Sequence, residues 1–308
     1  MSTTPVSILI PNYNYAQFLP ETLESVLKQD YAALEIIIAD DASTDTSHKI
    51  CQAYAKKDSR IRYHRHPRNL GMVANWNWCL QQASGAYIRL LMADDLIYSP
   101  TAISRMADIL DTHPHVALVT SARKRIDENA QPLDPFPLYR QTSGPITGAE
   151  WIQEHLSQST PDQLNSIGEP SAVLFRKETA KRGFDESLRQ LVDLEMWLYI
   201  LQQGDLYYIN EPLCAFRVHP DQQTEVNRQH GIHRVEQMEL HVRYSPAPHC
   251  NSKRYHTMRR MQKEKHPKAH SMQQQLQQEF GPLGMISHAI RYRINRLRFN
   301  MHRLCKPK

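Results

Sequence analysis

Acidic residues stand directly after two apolar segments of this 308-residue chain, in positions that suit the binding of a ligand or a metal ion. They are Asp40, Asp41, Asp45, Asp94 and Asp95. In one interpretation, Asp41 or Ser43 only caps the helix that follows, as such residues commonly do. In the other, the carboxylates serve a ligand or a metal, because crowded like charges repel unless a cation or a hydrogen-bond donor lies between them. A doublet in each of two places favours the second interpretation.

The segments that would position these carboxylates alternate between strands and helices. Predicted strands cover Val6–Ile10, Glu35–Ala39, Ile61–His64, Tyr87–Met92 and Val116–Thr120. Predicted helices between them cover Phe18–Leu27, Thr44–Lys57, Val73–Ala83 and Pro100–Thr112. This alternation is typical of α/β proteins with a parallel, doubly wound sheet. Because ligands bind beyond the carboxyl ends of such strands, we expect the two acidic doublets to lie close together.

The second half of the chain has a less regular pattern. Residues 129–146 contain several prolines and are expected to form a long loop. Beyond this loop, the sequence predicts helices over Gly148–Leu156 and Leu191–Gln202 and strands over Ala172–Arg176, Leu206–Ile209 and Leu213–Val218. From about residue 220 onward, we expect polar helices.

The composition is that of an ordinary globular protein, with 41% hydrophobic and 22% charged residues. No apolar run approaches the roughly 20 residues that a membrane span needs. The N-terminal segment lacks the basic region of a signal peptide, so we expect a cytoplasmic protein. The five cysteines form no Cys-x-x-Cys pair, which argues against a disulfide framework and against a zinc knuckle.

The charge is divided unevenly along the chain. Residues 241–308 carry a net charge of +13, whereas residues 1–240 carry −8. Within residues 284–308, apolar side chains recur at helical spacing with arginines between them. Such a basic amphipathic helix either packs on the rest of the protein or makes a peripheral contact with the inner face of an anionic membrane. No recognised nucleic-acid-binding motif accompanies the charge, so we expect no nucleic-acid partner.

Five segments of the chain resemble those of glycosyltransferase family 2, and they occur in the family's order. The family's opening is similar to VSILIPNYNYAQFLPETLESVLKQDYAALEIIIADDASTDTS. Its Asn-x-Gly segment and DxD-type metal motif are similar to NLGMVANWNWCLQQASGAYIRLLMADD. The other three segments are PSAVLFRKE, GFDESLRQLVDLEMWLYI and NEPLCAFRVHPDQQT. The resemblance covers about residues 5–225.

The resemblance implies a fold and a division of the chain. The fold would be α/β of the GT-A type, a Rossmann-like, mostly parallel sheet flanked by helices, with a basic helical C-terminal extension. Residues 1–225 would form the catalytic domain, with a nucleotide-binding part over about 1–125 and an acceptor-binding part over about 126–225. Residues 226–308 would form the extension.

The resemblance also implies a nucleotide pocket. Pro11 and Tyr13 would frame the nucleobase, with Tyr13 offering an aromatic face. Asp41 would accept a hydrogen bond from the base, for which uracil N3–H is the family's usual donor. Three further residues would support or line the pocket: Asp40, Asn69 and Gly71.

A metal site for Mg²⁺ or Mn²⁺, with the ion on the diphosphate oxygens of the donor, is implied in the same way. Asp95 would be a direct ligand, and Asp94 would approach the ribose or the metal. Arg217 and His219 match the family's Arg-x-His segment, and they would meet the diphosphate or complete the metal shell. Many relatives have Asp-x-Asp-Asp where this chain has Met-Ala-Asp-Asp over Met92–Asp95. The number of protein ligands therefore stays open.

Asp193 matches the aspartate of the family's Glu-Asp segment, with Val192 in place of the usual acid. The resemblance implies that Asp193 is the general base. An alcohol is a weak nucleophile, so a carboxylate within hydrogen-bond reach must accept its proton as it attacks. In the alternative interpretation, Asp193 only caps the helix that follows. Glu195 is the next candidate for the base.

These residues together predict an inverting glycosyltransferase. It would move a sugar from a nucleotide-sugar donor, expected to be a UDP-sugar, to a hydroxyl group of a glycan or lipid-linked acceptor in bacterial-type cell-surface polysaccharide synthesis. A sugar-phosphate nucleotidyltransferase usually shows a Gly-rich basic signature where this chain has PNYN, and a dinucleotide oxidoreductase would need Gly-x-Gly-x-x-Gly there. A non-catalytic nucleotide-sugar-binding scaffold would be favoured by the loss of Asp95 or Asp193, and both are present.

Overall fold

A parallel group of four strands forms the N-terminal half of the sheet. The computed structural model describes residues 3–133, 139–157, 165–220, 222, 232–244, 270, 273–274 and 277–278. Within these residues, β1 (Val6–Asn12) lies between β2 (Leu34–Asp40) and β4 (Tyr87–Leu90), and β3 (Ile61–Arg65) lies beside β2. All three pairings are parallel, as the alternation of strands and helices predicted.

Helices connect these strands and cover their apolar side chains. They are α1 (Leu19–Leu27), α2 (Ser47–Lys57) and α3 (Met72–Gln82), and α4 (Ala102–Thr112) comes later in the chain. The buried residues Leu19, Leu23 and Val26 recur at helical spacing along α1, and they pack in one cluster with Ile8 and Ile36 of the sheet. Burying one such side chain fully contributes about 1.5–3 kcal/mol. This packing fixes α1 against the sheet.

The sheet becomes mixed beyond β4. Its order continues through β8 (Val173–Arg176), β6 (Val116–Ile126), β9 (Asp205–Arg217) and β5 (Leu96–Ile97), and β7 (Gly144–Ile146) pairs with β9. Strand β8 is antiparallel to β4 and β6, because the chain enters β8 at the edge where β4 ends. The predicted α/β class is confirmed, and its parallel part is the group β1 to β4.

Three boundaries differ from the sequence-based prediction. The two strands predicted over Leu206–Ile209 and Leu213–Val218 are one strand, β9, so that prediction is wrong. An irregular register opposite Ser121–Arg123 accommodates Pro212, which has no N–H to donate to the ladder. Strand β6 continues to Ile126, well past the predicted end at Thr120. The predicted loop over residues 129–146 contains β7, which is too short to leave a periodic pattern.

Further along, the described residues contain the α-helices α5 (Gly148–Ser157), α6 (Val192–Ile200) and α7 (Ile232–Tyr244), and two short 3₁₀ helices on either side of β8, Pro170–Ala172 and Lys177–Ala180. The chain forms two compact units, one from residues 1–151 and 162–229 and the other from residues 152–161 and 230–308. The proposed division between residues 225 and 226 stays a prediction, and the basic segment 284–308 lies outside the described residues. In the described part of the chain, no helix has the length and apolarity needed to cross a membrane.

The turn before β4 gives a test of the packing of the sheet. A Cβ atom on Gly85 would lie 2.6 Å from both the backbone nitrogen and Oγ of Ser7 in β1. Gly85→Ala should therefore lower the free energy of unfolding by roughly 1–3 kcal/mol, as overpacking of an interior does. Denaturant unfolding measures the change, with the exposed Gln52→Ala of α2 as the control. Equal stability of the two variants would contradict the close approach of β1 and this turn.

Candidate active site

The loops after β1 and β2 are tied together at the carboxyl edge of the sheet. Asn14 adopts a left-handed backbone conformation with φ 60°, which asparagine tolerates better than most residues. Its Oδ1 accepts a hydrogen bond from the N–H of Thr44 at 2.8 Å, and its own N–H donates to Ser43 Oγ at 2.9 Å. The loops after β1 and β2 therefore meet at this edge of the sheet.

Asp40 is fully enclosed at the end of β2. Its Oδ1 accepts the N–H of Ser43 at 3.0 Å, and its Oδ2 accepts the hydroxyl of Tyr63 at 3.1 Å. Arg65 Nε lies 3.5 Å from the same Oδ2. Burial and the Asp40 carboxylate raise the pKa of Tyr63, so this hydroxyl stays protonated and keeps donating. Asp40 thus shapes the loop and has no open face toward a ligand.

Asp41 lies next to Asp40 but holds a different segment. Its Oδ1 accepts the N–H of Leu70 at 2.6 Å, and its Oδ2 accepts the N–H of Gly71 at 2.9 Å. Gly71 has φ 91°, a conformation that favours glycine. Asn69, which precedes Leu70, is exposed. Only 2% of Asp41 is exposed, but each carboxylate oxygen keeps one further lone pair with which it can accept another hydrogen bond.

Pro11 and Tyr13 lie at the end of β1, beyond the point where β1 stops pairing with β4. The pairing of β1 with β4 ends at Leu9, whereas its pairing with β2 continues to Asn12. Pro11 is therefore beyond β4, where its missing N–H costs no ladder hydrogen bond on that side. Tyr13 is 46% exposed and presents its ring at this edge. The structure thus brings Tyr13 to the edge where Asp40 and Asp41 also lie.

Asp95 is the enclosed member of the second acidic doublet. Its side chain accepts the hydroxyl of Ser171 at 2.5 Å and the backbone N–H of Arg217 at 2.9 Å. Burial, with the adjacent Asp94, raises the pKa of Asp95 against the effect of these two hydrogen bonds. Thr22 Oγ1 of α1 lies 2.9 Å from the Asp95 carbonyl oxygen. With no exposed surface, Asp95 is placed as an internal anchor and not as a group open to a ligand.

Asp94 is paired with His219. Its Oδ2 lies 3.1 Å from His219 Nε2, and 9% of its side chain is exposed. The other ring nitrogen of His219, Nδ1, is buried without a hydrogen-bond partner. Packing against Phe18, at 4.9 Å between ring centroids, and Tyr15, at 5.7 Å, sets the orientation of the imidazole. In the described residues, no group of three or more His, Cys, Asp or Glu side chains is arranged to hold a metal.

Arg217 does not reach toward the open edge. The residue is fully buried, and its Nε donates to the carbonyl oxygen of Asp94 at 2.7 Å. Nη1 donates to the carbonyl of Asp127 at 3.1 Å, and Nη2 pairs with Glu21 at 2.5 Å. The guanidinium also lies 4.8 Å above the ring of Phe18. Because every nitrogen has an internal partner, the geometry gives Arg217 a role in holding the Asp94–Asp95 turn and gives no support to its predicted contact with a diphosphate.

Asp193 lies in the first turn of α6 and is partly exposed. Burial, and secondarily the charge of Glu169, raises the pKa of Asp193 to about 7. Hydrogen bonds from the backbone N–H of Leu194 and from Asn165 Nδ2, the latter at 3.1 Å, oppose this shift. A carboxylate with a pKa near 7 is well matched to proton transfer at neutral pH.

Glu195 is excluded as a substitute base by its surroundings. Its side chain is completely buried and forms a two-point ion pair with Arg182, at 2.9 and 2.6 Å. A carboxylate held in this way has no face open to an acceptor hydroxyl.

Three residues that the sequence analysis did not single out complete the site. Ser171 donates to Asp95, Asn165 donates to Asp193, and Arg123 pairs with Glu169 at 2.9 Å. The signal for Arg123 is its charge within the mostly apolar strand β6. Ser171 and Asn165 lie in irregular segments, where a single polar residue carries no recognisable pattern.

A cavity lies at the opposite end of these strands, before β1 and β4 begin. Its volume is about 1290 Å³, and it is lined by Thr4 and Pro5 before β1, by Gly85 before β4 and by Lys177 after β8. None of the predicted site residues lines it. We assign the candidate site to the carboxyl edge, because the charged groups and the open strand ends lie there.

More than half of the chain matches a known protein family. The family model of Glycosyl transferase family 2 matches residues 7–182. The putative glycosyltransferase EpsE of Bacillus subtilis is 36% identical over 69% of this chain and 75% of its own length. Residues 1–349 of Staphylococcus aureus TarS with UDP-GlcNAc superimpose with a TM-score of 0.63 at 18% identity, over 83% of this chain and 72% of TarS.

A second solved structure has the same fold. The mannosyltransferase PcManGT of Pyrobaculum calidifontis, in complex with GDP-Man and Mn²⁺, superimposes with a TM-score of 0.59 at 16% identity, over 94% of this chain and 87% of PcManGT. At this identity the likeness shows the fold, and the family model shows the family. The chain therefore belongs to glycosyl transferase family 2, and it is a glycosyltransferase with a GT-A-like fold.

Proposed function

We propose that this glycosyltransferase moves a sugar from a nucleoside diphosphate sugar to a hydroxyl group of a glycan or lipid-linked acceptor, with inversion at the anomeric carbon. The observation that carries the proposal is the pair of Asp94 and His219 at the carboxyl edge, with Oδ2 and Nε2 at 3.1 Å. This pair supplies two ligands suited to a divalent cation, and a cation is what a diphosphate leaving group requires.

The residues present fit a Mg²⁺ or Mn²⁺ ion. Asp94 Oδ2 and His219 Nε2 lie 3.1 Å apart, and both would become ligands of the ion once the hydrogen bond between them is given up. Mg²⁺ commonly takes only one or two carboxylates and completes its shell with water and phosphate oxygens. We therefore propose Asp94 and His219 as the protein ligands and revise the assignment of Asp95, which is enclosed. When bound, the ion would neutralise charge on the diphosphate.

The nucleoside would lie beside Asp41 and Tyr13. The remaining lone pairs of Asp41 can accept an N–H of the base, and Tyr13 offers an exposed ring for stacking. Asn69 and Gly71 lie on the segment that Asp41 holds. Uracil, with its single N3–H, suits one carboxylate acceptor, so UDP-sugars are the donors that we propose first. GDP-sugars are the next to test, because PcManGT binds GDP-Man.

The chemistry is a single displacement in which Asp193 accepts a proton. Asp193 takes the hydrogen of the acceptor hydroxyl as its oxygen forms a bond to the anomeric carbon. The bond from that carbon to the diphosphate oxygen breaks on the opposite side, and the nucleoside diphosphate departs with the bonding electrons. Because Asp193 must be ionised to accept the proton, the rate should rise with pH through about 7. Asp193 lies near Glu169 and Asn165, which would then border the acceptor.

Asp41→Ala tests the nucleotide site. It should weaken UDP binding by roughly 1.5–3 kcal/mol, the usual effect of losing a hydrogen bond to a charged group. Calorimetry with UDP and with GDP measures the effect, and Asp58→Ala is the control because Asp58 precedes β3 at the other edge of the sheet. Unchanged UDP affinity in folded Asp41→Ala would remove Asp41 from the site.

The metal assignment is tested by separating Asp94 from Asp95. Chelation should abolish transfer, and Mn²⁺ or Mg²⁺ should restore it. Asp94→Ala should raise the half-saturating Mn²⁺ concentration by at least about tenfold with little change in melting temperature. Asp95→Ala should instead lower the free energy of unfolding by about 1–3 kcal/mol, because Ser171 and the Arg217 N–H lose their acceptor. The reverse result, a stable Asp95→Ala that no longer binds Mn²⁺, would restore Asp95 as the ligand.

The assignment of the base is tested by Asp193→Asn, which keeps the shape and removes the basicity. Transfer should fall by roughly 10²–10⁴-fold, while UDP affinity stays the same. The sign of the pKa shift adds a second expectation. A carboxyl whose pKa is raised on folding destabilises the protein as it ionises, so Asp193→Asn should be no less stable than the wild type above pH 7.

Nucleotide release from a panel of UDP-, GDP- and dTDP-sugars measures activity for these variants. Glu178→Gln, an exposed carboxylate after β8, is the matched control and should retain activity. Near wild-type transfer by Asp193→Asn with its true acceptor would show that Asp193 is not the base.

A further inference from the structure

The short turn before β8 is built around the side-chain amide of Asn165. Asn165 Nδ2 donates to Asp193 Oδ2 at 3.1 Å and to the carbonyl oxygen of Gly168 at 3.0 Å. Its Oδ1 accepts the N–H of Gly168 at 3.1 Å. Because only the amide oxygen can accept that N–H, the NH₂ group must face Asp193, and the orientation of the amide is unambiguous.

The turn is fixed from two neighbouring elements. Trp197 Nε1 of α6 donates to the carbonyl of Gly168 at 3.1 Å, and Thr120 Oγ1 of β6 donates to the carbonyl of Ile167 at 2.6 Å. Gly168 has φ 110°, and a Cβ atom there would lie 2.1 Å from the guanidinium of Arg123. The positive φ favours glycine at this position, and the hydrogen bonds from Trp197 and Thr120 hold the turn that carries Asn165.

We propose that Asn165 is a positioning residue for the general base, which orients the carboxylate of Asp193 toward the acceptor and favours its ionised form. This inference rests on the proposed function of Asp193. A donor to a carboxylate stabilises the ionised form. A donor that is itself anchored through Gly168 also restricts rotation of the Asp193 side chain.

The charged side chains around Asp193 do not stabilise its ionised form, so a neutral hydrogen-bond donor must do so. Glu169, from the same turn, disfavours the ionised form of Asp193, and Arg123 of β6 is paired with Glu169. On α6 itself, Glu195 is paired with Arg182. Among the described residues, the donors to the Asp193 carboxylate are therefore Asn165 and backbone N–H groups of the first turn of α6.

The decisive variant is Asn165→Ala, with Asn165→Asp as its companion. Both remove the donor, and Asn165→Asp adds a negative charge. At pH 7, release of nucleotide from the donor that the wild type uses should fall about 10- to 100-fold, the effect of losing one hydrogen bond to a charged group. KM for the donor should stay unchanged. The pH at which activity rises should move upward in both variants and further in Asn165→Asp, so that alkaline pH partly restores the rate.

A second readout does not depend on activity. In protein labelled with ¹³C-carboxyl aspartate, the signal of Asp193 is the one absent from Asp193→Asn, and its titration midpoint should move upward in Asn165→Ala. Trp197→Phe is the matched control, because it removes a different donor to the same Gly168 carbonyl. It should lower the melting temperature and leave the Asp193 midpoint unchanged.

An unchanged Asp193 midpoint in Asn165→Ala, or a loss of melting temperature without a shift of the pH profile, would overturn the proposal. If the wild type released nucleotide from no sugar in the panel, the proposed function would fail. The titration of Asp193 would still decide the role of Asn165 in that case.

Discussion

The enclosed carboxylate of Asp95 is the interaction on which the arrangement of the candidate site depends. It joins the turn after β4 to Ser171 before β8 and to the backbone of Arg217 at the end of β9. Burying a carboxylate is unfavourable unless its oxygens are hydrogen-bonded, so the turn is held only where both partners are in place. Arg217 then holds the carbonyl of Asp94, and the Asp94 side chain is left facing His219. The buried side chain of Asp95 thereby fixes the position of Asp94, for which a different role is proposed.

The sequence predicted the parallel part of the fold well, because strands such as β1 and β2 are largely apolar runs and helices such as α1 have a clear period. The meeting of the loops after β1 and β2 follows from the same pattern, since parallel strands bring their carboxyl ends to one edge. The mixed part of the sheet was harder to predict from the sequence. Strands β5 and β7 are too short to show alternation, and the direction of β8 depends on where the chain enters the sheet.

Individual roles were harder to predict than locations. The sequence does not distinguish the roles of Asp94 and Asp95. In the structure, Asp95 is the one of the two that contacts the Ser171 hydroxyl and the Arg217 N–H, which lie 76 and 122 residues further along the chain than Asp95. The same is true of Arg217. An arginine beside an acidic motif suggests an anion-binding group, but its nitrogens are occupied by Glu21 and by backbone carbonyls from elsewhere in the chain. Contacts between residues far apart in the chain decide which charged side chain remains available to a ligand. The local sequence pattern carries no information about such contacts.

The segment 165–171 connects the two halves of the proposed reaction. At one end Asn165 holds Asp193, and at the other Ser171 holds Asp95 and, through its turn, Asp94. The donor group and the base therefore do not rest on independent loops. Between these two ends, Trp197 and Thr120 hold the backbone carbonyls of Gly168 and Ile167. In the proposed displacement, which needs the attacking and leaving groups on opposite sides of one carbon, this segment would help to keep the two groups at a constant separation.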